Sequence, residues 1–346
     1  MNIPIQNIYY LLCYAWNKLD EQGRVAVSID DRTSLLDLFA KVLNNAVRIL
    51  LKRGIDRSYV EHMEEISGIK GKLLLGETLQ RNLLKRQRTI CRFDEFSPDI
   101  LTNQILVSTL RKLMRIKELD RDLKRETRHL LQMLPGITPI AIRTSHFSQV
   151  RLHRNNRFYD FILKVCRIIH DNILPGEETG EYLFADFRRD DHKMNRLFEE
   201  FIFQFYTREL KGWRVRRETI KWKFDSSNDS DLTFLPEMKT DITLEKGEKK
   251  IIIDAKFYRE TLATHYDKQK VKSANLYQLF SYLKNQESLD DPRTMSARGI
   301  LLYPTIEREY DLQYTFDKHT VEIRTVNLGW DWKQIEARLK KLVEEH

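Results

Sequence analysis

The chain has 346 residues, of which 41% are hydrophobic and 32% are charged. These proportions exclude disordered and fibrous proteins, and the length favours two domains. The formal net charge of +8 is uneven, because residues 1–165 carry 28 Lys and Arg against 18 Asp and Glu, a net of +10, and the remainder has a net of −2. A basic first half indicates contact with nucleic acid or with an acidic partner surface, although a solvated charged surface explains the charge equally well.

The cysteines and the first residues indicate where the protein resides. Cys13, Cys91 and Cys166 are far apart and form no C-x-x-C pair. This usage fits a reducing compartment and offers no zinc ribbon or iron–sulfur framework. The apolar start, Met1 to Trp16, lacks a basic leader and is too short and interrupted to span a bilayer. We therefore expect a cytoplasmic protein with no membrane partner.

The first half is predicted to be an α+β domain. A helix is expected over 34–51, where Ser34 and Asp37 resemble a capping box. Short apolar stretches over 60–97 predict two or more strands joined by a helix or loop around a basic segment. Further helices are expected over 100–134 and 157–173.

A linker is predicted at Pro175 to Gly180, which combines proline, glycine and charge. It would divide the chain into residues 1–175, a partner-docking domain, and residues 176–346, a nuclease domain. In the second half the apolar patterns predict an α/β domain. Its expected helices are 191–210, 271–285 and 331–345, and its expected strands are 213–223, 237–245, 250–258, 298–303 and 320–327.

Two predicted strands bring four charged residues to one face. Lys239, Asp241 and Thr243 alternate with apolar residues, and Asp254 and Lys256 follow the apolar run Ile251 to Ile253. If the turn centres on Gly247 and Glu248, Asp241 lies directly opposite Asp254. Two facing carboxylates repel each other, and Mg²⁺ relieves that repulsion by binding their oxygens.

The D-(x12)-D-x-K spacing resembles the PD-(D/E)xK nuclease superfamily, although Asp241 is not preceded by proline. Lys256 on the same face can orient water or stabilise charge on a scissile phosphate. The pattern D-x-K alone is weak, but the predicted pairing and turn strengthen it. The competing interpretation is an exposed charged hairpin without chemistry.

Other residues extend this candidate site. Gln278 and Tyr282 share a helix face at i,i+4 spacing and resemble the Q-x-x-x-Y motif of RecB-like members of the superfamily, unless they belong to an ordinary amphipathic helix. The helix over 191–210 offers Glu199 or Glu200 as a possible third metal ligand, with Glu199 as our candidate, and a solvated glutamate is the alternative.

No phosphate loop is predicted. Gly68 to Lys72 lacks the G-x-x-x-x-G-K-[ST] spacing, and Leu73 stands where a hydroxyl residue is needed. We therefore expect that this chain does not bind a nucleotide by a Walker loop.

The whole chain resembles the McrC-type endonuclease subunits of McrBC restriction systems. The resemblance rests on Ile3 to Trp16, on Ile66 to Lys72, on the Asp241–Lys256 segment and on Asn275 to Leu279, in that order. It implies a subunit that cuts double-stranded DNA with Mg²⁺, beside an McrB-type AAA+ GTPase hexamer that recognises methylated cytosine and binds the GTP. It also implies that residues 1–175 dock into the ring and stimulate hydrolysis. The short apolar runs and basic middle of Leu73 to Arg92 make this stretch our candidate for the inserted element, and an irregular part of the domain core is the alternative.

Two other functions remain open from the sequence. One is a non-catalytic adaptor that activates a GTPase ring, and the intact Asp241, Asp254 and Lys256 count against it. The other is a stand-alone RecB-like nuclease.

Overall fold

The computed structural model describes residues 3–17, 34–175, 182–224, 229–258, 263–265, 268–270, 272–306 and 308–344. The chain divides into two compact units. The first, here called the helical unit, is Val25–Ala185. The second, called the sheet unit, combines Met1–Arg24 with Asp186–His346.

The chain begins with helix α1 (Ile5–Ala15), which belongs to the sheet unit. Tyr14 packs against the rings of Phe201 and Phe205, with ring centroids 5.7 and 5.4 Å apart. The Asn7 side-chain amide donates hydrogen bonds to the carbonyls of Leu328 and Trp330, at 2.7 and 2.9 Å. These contacts join residues more than 180 positions apart in sequence, which is why local patterns do not predict them.

The helical unit is built mainly from helices around an apolar core. The predicted capping box is confirmed, because the Ser34 side chain accepts from the Asp37 N–H at the start of α2. The predicted helix over 100–134 is two helices, since the Asp120 carboxylate accepts from the N–H groups of Asp122 and Leu123 and so begins a new one. The helices are α2 (Leu35–Arg53), α3 (Leu75–Gln80), α4 (Leu101–Met114), α5 (Arg121–Gln132), α6 (Thr144–Gln149) and α7 (Phe158–Asp171).

Residues 58–97 form a small antiparallel sheet, as predicted. Its strands are β1 (Ser58–Ser67), β2 (Lys72–Leu73) and β3 (Arg88–Ser97), in the order β1-β3-β2. β1 and β3 pair along their whole length, from Ser58 opposite Ser97 to Ser67 opposite Arg88. β1 has no fully buried residue, so this hairpin presents most of its surface to solvent.

The predicted linker falls largely on residues 176–181, which lie outside the described residues. The residues on either side of it pair as β4 (Ile173–Pro175) and β5 (Tyr182–Phe184), both in the helical unit. The division between units comes at Ala185 and Asp186, and α1 joins the second unit. The chain therefore divides differently from the predicted 1–175 and 176–346.

The sheet unit is organised around a mixed six-stranded sheet in the order β14-β15-β13-β10-β9-β6. β10, β13 and β15 run parallel to one another, and β9 and β14 are antiparallel to their neighbours. The bounds are β6 (Arg214–Arg216), β9 (Ile242–Lys246), β10 (Lys249–Ala255), β13 (Arg298–Thr305), β14 (Asp311–Phe316) and β15 (His319–Asn327). The predicted α/β class is confirmed.

Helices cover this sheet. β10 is buried from Lys250 to Ala255, so both of its faces are covered. On one face Leu279, Tyr282 and Leu283 of α9 pack with Ile252 and neighbouring strand residues. The helices of the unit after α1 are α8 (Asp191–Glu209), α9 (Ser273–Gln286), α10 (Pro292–Met295) and α11 (Trp332–Glu344).

Two predicted strands are interrupted. The strand expected over 213–223 is β6 followed by β7 (Thr219–Ile220), which pairs instead with β8 (Met238–Lys239). The strand expected over 237–245 is likewise divided into β8 and β9, and Asp241 lies in the break. Two short strands, β11 (Ala263–His265) and β12 (Lys268–Lys270), pair with each other after β10.

No helix in the described part of the chain is long and apolar enough to cross a membrane. All three cysteines are buried free thiols.

Candidate active site

The hairpin of β9 and β10 has the predicted register. Ile253 pairs with Ile242, Ile251 with Leu244, and Lys249 with Lys246. The turn contains Gly247 with a φ of +54°, a left-handed conformation that favours glycine. One step beyond the last pair in this register, Asp241 stands opposite Asp254. The turn and the alternation of apolar residues thus set the two carboxylates side by side.

The Lys256 ammonium lies where three carboxylates converge. Its Nζ is 3.0 Å from Asp254 Oδ1, 3.2 Å from Asp241 Oδ2 and 4.0 Å from Glu199 Oε1. Asp241 Oδ2 also accepts a hydrogen bond from the Ala255 N–H at 3.1 Å. The residues predicted as the catalytic set, together with Glu199, are therefore brought together at the carboxyl end of β10.

Burial and mutual repulsion shift the protonation equilibria of this cluster. Asp254 is fully buried, and burial together with the nearby Asp241 charge raises its pKa to about 7 despite the Lys256 ammonium. Burial followed by Asp241 also raises the pKa of Glu199. Burial alone would lower the pKa of Lys256, but the charges of Asp254 and Asp241 raise it instead. Lys256 therefore stays protonated at neutral pH, whereas Asp254 is divided between its protonated and its ionised form.

The chemistry of the donor set fits a hard divalent cation. Asp254 Oδ1 is near Lys256 Nζ but not aligned for a hydrogen bond, and neither Asp254 oxygen accepts one from any described residue. A buried carboxylate without such partners is costly. If a cation displaces the proton from Asp254, three ionised carboxylates against one ammonium leave two negative charges, which one Mg²⁺ would neutralise. Within the described residues no group of three or more carboxylate, imidazole or thiol side chains is already arranged around a metal position, because Lys256 holds the point of convergence.

Asn195 is a site residue that the sequence analysis missed. Its side-chain amide donates a hydrogen bond to Glu199 Oε1, and its carbonyl accepts from the Phe257 N–H at 2.7 Å. Asn195 thereby ties α8 to the backbone that follows Lys256. The i,i+4 spacing of Asn195 and Glu199 on one helix was the available signal, but nothing in the sequence locates Phe257 beside them.

Gln278 and Tyr282 share a helix face on α9, as predicted. The Gln278 Nε2 donates to the Tyr282 hydroxyl at 2.6 Å, and that hydroxyl donates to the Lys239 carbonyl at 2.9 Å. Tyr282 is buried in the apolar core of the sheet unit. Through this bond it holds β8, which directly precedes Asp241. Neither residue contacts the three carboxylates by a hydrogen bond, so their position is beside the cluster.

A second buried ion cluster occupies the other end of β10. Lys250 Nζ donates to Glu218 Oε1 at 3.2 Å and is 3.9 Å from Glu245 Oε1. Arg216 Nη2 bonds both glutamates, at 2.9 and 2.8 Å. Burial alone would raise the pKa of Glu245, but Arg216 and Lys250 lower it. Arg214 Nη1 also lies 3.7 Å from Glu245 Oε2, so the cations of this cluster outnumber its two carboxylates and leave no excess negative charge.

Comparisons with known proteins identify the family. The family model of the McrBC 5-methylcytosine restriction system component matches residues 6–304. The type IV methyl-directed restriction enzyme EcoKMcrBC of Escherichia coli K12 is 35% identical over 344 residues, which cover 99% of this chain and 98% of that protein. The chain belongs to the family of McrBC 5-methylcytosine restriction system components.

The fold comparison agrees with this membership. A solved Thermococcus gammatolerans assembly of McrB AAA+ hexamers with bound McrC contains a chain that matches with a TM-score of 0.55 and 20% identity. The match covers 98% of this chain and 76% of that one. At this identity the likeness concerns the fold, and the predicted McrC-type resemblance is confirmed by the family model and the E. coli relative.

Proposed function

We propose that this chain is the Mg²⁺-dependent endonuclease subunit of a modified-cytosine restriction system. The observation that carries the proposal is the cluster at the carboxyl end of β10. Asp241, Asp254 and Glu199 meet one ammonium there, and Asp254 has two buried oxygens without a hydrogen bond. Such an excess of carboxylate suits a cation, and the family consists of components of a DNA restriction system.

Each residue has a distinct role in the proposed reaction. Asp241, Asp254 and Glu199 would hold Mg²⁺, which supplies Lewis acidity and neutralises charge on the phosphate oxygens when bound. Lys256, a permanent cation, would donate to a phosphate oxygen and stabilise the negative charge that grows as the phosphodiester bond breaks. Asn195 would hold Glu199 in place, and Gln278 with Tyr282 would fix the strand that presents Asp241.

The helical unit is the proposed site of docking to an McrB-type AAA+ GTPase hexamer, which would bind the GTP. Large apolar side chains are unusually exposed over 58–97, including Ile69 at 70%, Leu75 at 52% and Leu79 at 53%. Leu75 and Leu79 share one face of α3 at i,i+4 spacing. Exposed apolar surface of this kind marks protein interaction sites, and it includes part of the candidate inserted element, Leu73 to Arg92.

One experiment tests both roles. The wild-type chain and Asp254→Asn are incubated with methylated plasmid, Mg²⁺, GTP and an McrB-type partner, and DNA cleavage and GTP turnover are followed in the same reaction. We expect both proteins to stimulate GTP turnover equally and only the wild type to cut, with a rate difference of at least about a hundredfold. Without metal, Asp254→Asn should melt at the same or a higher temperature, since it removes a repelling, unbonded charge.

The outcomes separate the competing functions. Cleavage by a folded Asp254→Asn protein would refute the site. Stimulation of GTP turnover by the wild type without any cleavage would favour the non-catalytic adaptor. Efficient cleavage that needs neither partner nor GTP would favour a stand-alone RecB-like nuclease.

A further inference from the structure

A basic cavity of about 350 Å³ lies in the helical unit, beside the end of α4. Three of its lining residues are cations within five consecutive positions, at the last turn of α4 and just after it. The lining consists of Ser108, Arg111, Lys112, Arg115, the segment 139–142 and Tyr182. None of the proposed nuclease residues takes part in it.

Among the described residues, the cations of this cavity have no counter-charge. No described carboxylate lines the cavity or forms an ion pair with Arg111, Lys112 or Arg115. The half-buried Lys112 Nζ instead lies 3.5 Å from His170 Nδ1 and 5.9 Å from the centre of the Tyr182 ring. Burial lowers the pKa of Lys112. Since an uncompensated cation in a half-buried position is unfavourable, an anion in the cavity would be stabilised by it.

The walls of the cavity are held by hydrogen bonds in which the three cations take no part. Ser108 Oγ accepts a hydrogen bond from the Ile140 N–H at 2.7 Å, which joins α4 to the segment 139–142. Tyr182 forms a parallel bridge with Ile116, just beyond α4. The cavity is therefore formed before any ligand enters, and a preformed site loses little affinity to ordering.

The helix dipole gives a partial alternative explanation. Cations in the last turn of a helix interact favourably with its C-terminal carbonyls. This accounts for exposed arginines such as Arg111 and Arg115. It does not account for Lys112, whose Nζ is directed to His170 and Tyr182, or for the concave wall of residues 139–142 opposite the cations.

We propose that this cavity binds a phosphate group of the DNA backbone, held by Arg111, Lys112 and Arg115. The proposal rests on the proposed function in that DNA is the ligand. It adds a DNA contact in the helical unit, outside the unit that carries the nuclease cluster.

The chemistry favours a phosphodiester over an acidic protein surface. Two exposed guanidinium groups match the planar, bidentate geometry of phosphate oxygens, and a flexible lysine adds a point charge. A protein partner would be expected to cover a broad surface, whereas these cations gather at one small concave site.

The test compares two double variants of the full chain. Arg111→Gln with Arg115→Gln removes two charges from the cavity. Arg121→Gln with Arg128→Gln removes two charges from exposed positions of α5 that pair with no described side chain. Binding of a fluorescent DNA duplex is measured by anisotropy in EDTA, so that no cleavage occurs, across a series of salt concentrations.

We expect the cavity variant to raise the Kd by roughly tenfold or more, since charge-assisted hydrogen bonds are lost. The slope of log K against log salt should fall in magnitude by about 0.9, because one phosphate contact is lost. The control variant should leave both nearly unchanged. Equal losses in the two variants, or no loss in the cavity variant, would overturn the proposal.

Two further arms exclude other ligands. Saturable binding of pyrophosphate that is lost in the cavity variant, with DNA binding intact, would assign the cavity to free phosphates and overturn the DNA assignment. If the cavity variant no longer bound the GTPase ring but still bound DNA, the cavity would be assigned to an acidic protein surface, and the DNA assignment would again be overturned. A wild-type chain that binds no duplex even with the McrB-type partner present would remove this proposal and the proposed function together, whereas unchanged DNA binding by the cavity variant alone removes only this one.

Discussion

The two ends of β10 carry buried lysines in contrasting surroundings. At its start, Lys250 and Arg216 face Glu218 and Glu245, and the cations donate hydrogen bonds to both carboxylates. Just past its end, Lys256 alone faces three carboxylates, and Asp254 accepts no hydrogen bond from the described residues. Glu245 at the first end has a lowered pKa, and Asp254 at the second has a pKa raised to about 7.

This difference distinguishes a structural ion cluster from a functional one. A buried cluster whose cations at least match its carboxylates has no surplus negative charge, and the loss of one partner from it costs stability. A cluster whose ionised carboxylates outnumber its cations has a surplus negative charge that a bound cation would neutralise. Both ends of β10 have a buried lysine among carboxylates. The property that distinguishes the two clusters is therefore their charge balance.

The largest expected effect comes from changing the lysine at each end. Lys256→Met should lower the rate of DNA cleavage per folded molecule by about 10²–10³-fold, as expected when a group that stabilises transition-state charge is lost. Lys250→Met should leave that rate unchanged and reduce the free energy of unfolding by about 3 kcal/mol, because Glu218 and Glu245 lose a buried partner. Cleavage in Mg²⁺ and chemical denaturation, measured on both proteins, give the comparison.

One result from Lys256→Met and Lys250→Met would contradict this interpretation. If Lys250→Met reduced cleavage per folded molecule as much as Lys256→Met, charge balance would not mark the functional end of the strand.

The sequence predicted the active-site hairpin in detail but not its surroundings. The alternation of apolar residues and the turn at Gly247 set the register that places Asp241 beside Asp254, and both signals are local. Asn195 depends on a contact with Phe257, and Lys250 on Glu218, which no local pattern encodes. The edge strand β14 was missed for a related reason, since most of its residues are exposed and only its pairing with β15 defines it.

A second cluster without surplus negative charge sharpens the comparison through stability. Glu322 is fully buried and accepts from Arg298 Nε and Nη2 at 2.6 and 2.7 Å and from Arg324 Nε at 2.8 Å. Glu322→Gln leaves Arg298 buried beside a neutral partner and should lower the free energy of unfolding by about 3 kcal/mol. Cleavage per folded molecule should not change.

The pH dependence of stability supplies the control for Glu322. Burial alone would raise the pKa of Glu322, but the hydrogen bonds from Arg298 and Arg324 lower it in the folded protein. Its contribution is therefore complete above its unfolded pKa of about 4.3 and is lost as the pH falls through the lower folded value. Denaturation from neutral to acidic pH should show a shallower loss in Glu322→Gln than in the wild type. If both proteins lost stability equally as the pH fell, the ion pairs of Glu322 with Arg298 and Arg324 would not be a source of stability.

The smallest effect is expected beside the active site, at Tyr282. Burial raises the pKa of Tyr282, so its hydroxyl is protonated at neutral pH and donates to the Lys239 carbonyl at 2.9 Å. Tyr282→Phe removes that bond and should cost about 1 kcal/mol. Tyr206→Phe is a matched control, since its buried hydroxyl donates to the Leu339 carbonyl at 3.0 Å and should cost a similar amount.

Cleavage separates these two tyrosines. Because the Tyr282 hydroxyl holds β8, which precedes Asp241, its loss should loosen one carboxylate and slow cleavage by less than about tenfold. Tyr206→Phe should not slow cleavage at all. A loss in Tyr282→Phe as large as that in Lys256→Met would place the hydroxyl among the reacting groups, and the functional end of β10 would then extend onto α9. A rate equal to the wild type would instead mean that Asp241 is held by the hairpin alone, through the Ala255 N–H that its carboxylate accepts at 3.1 Å.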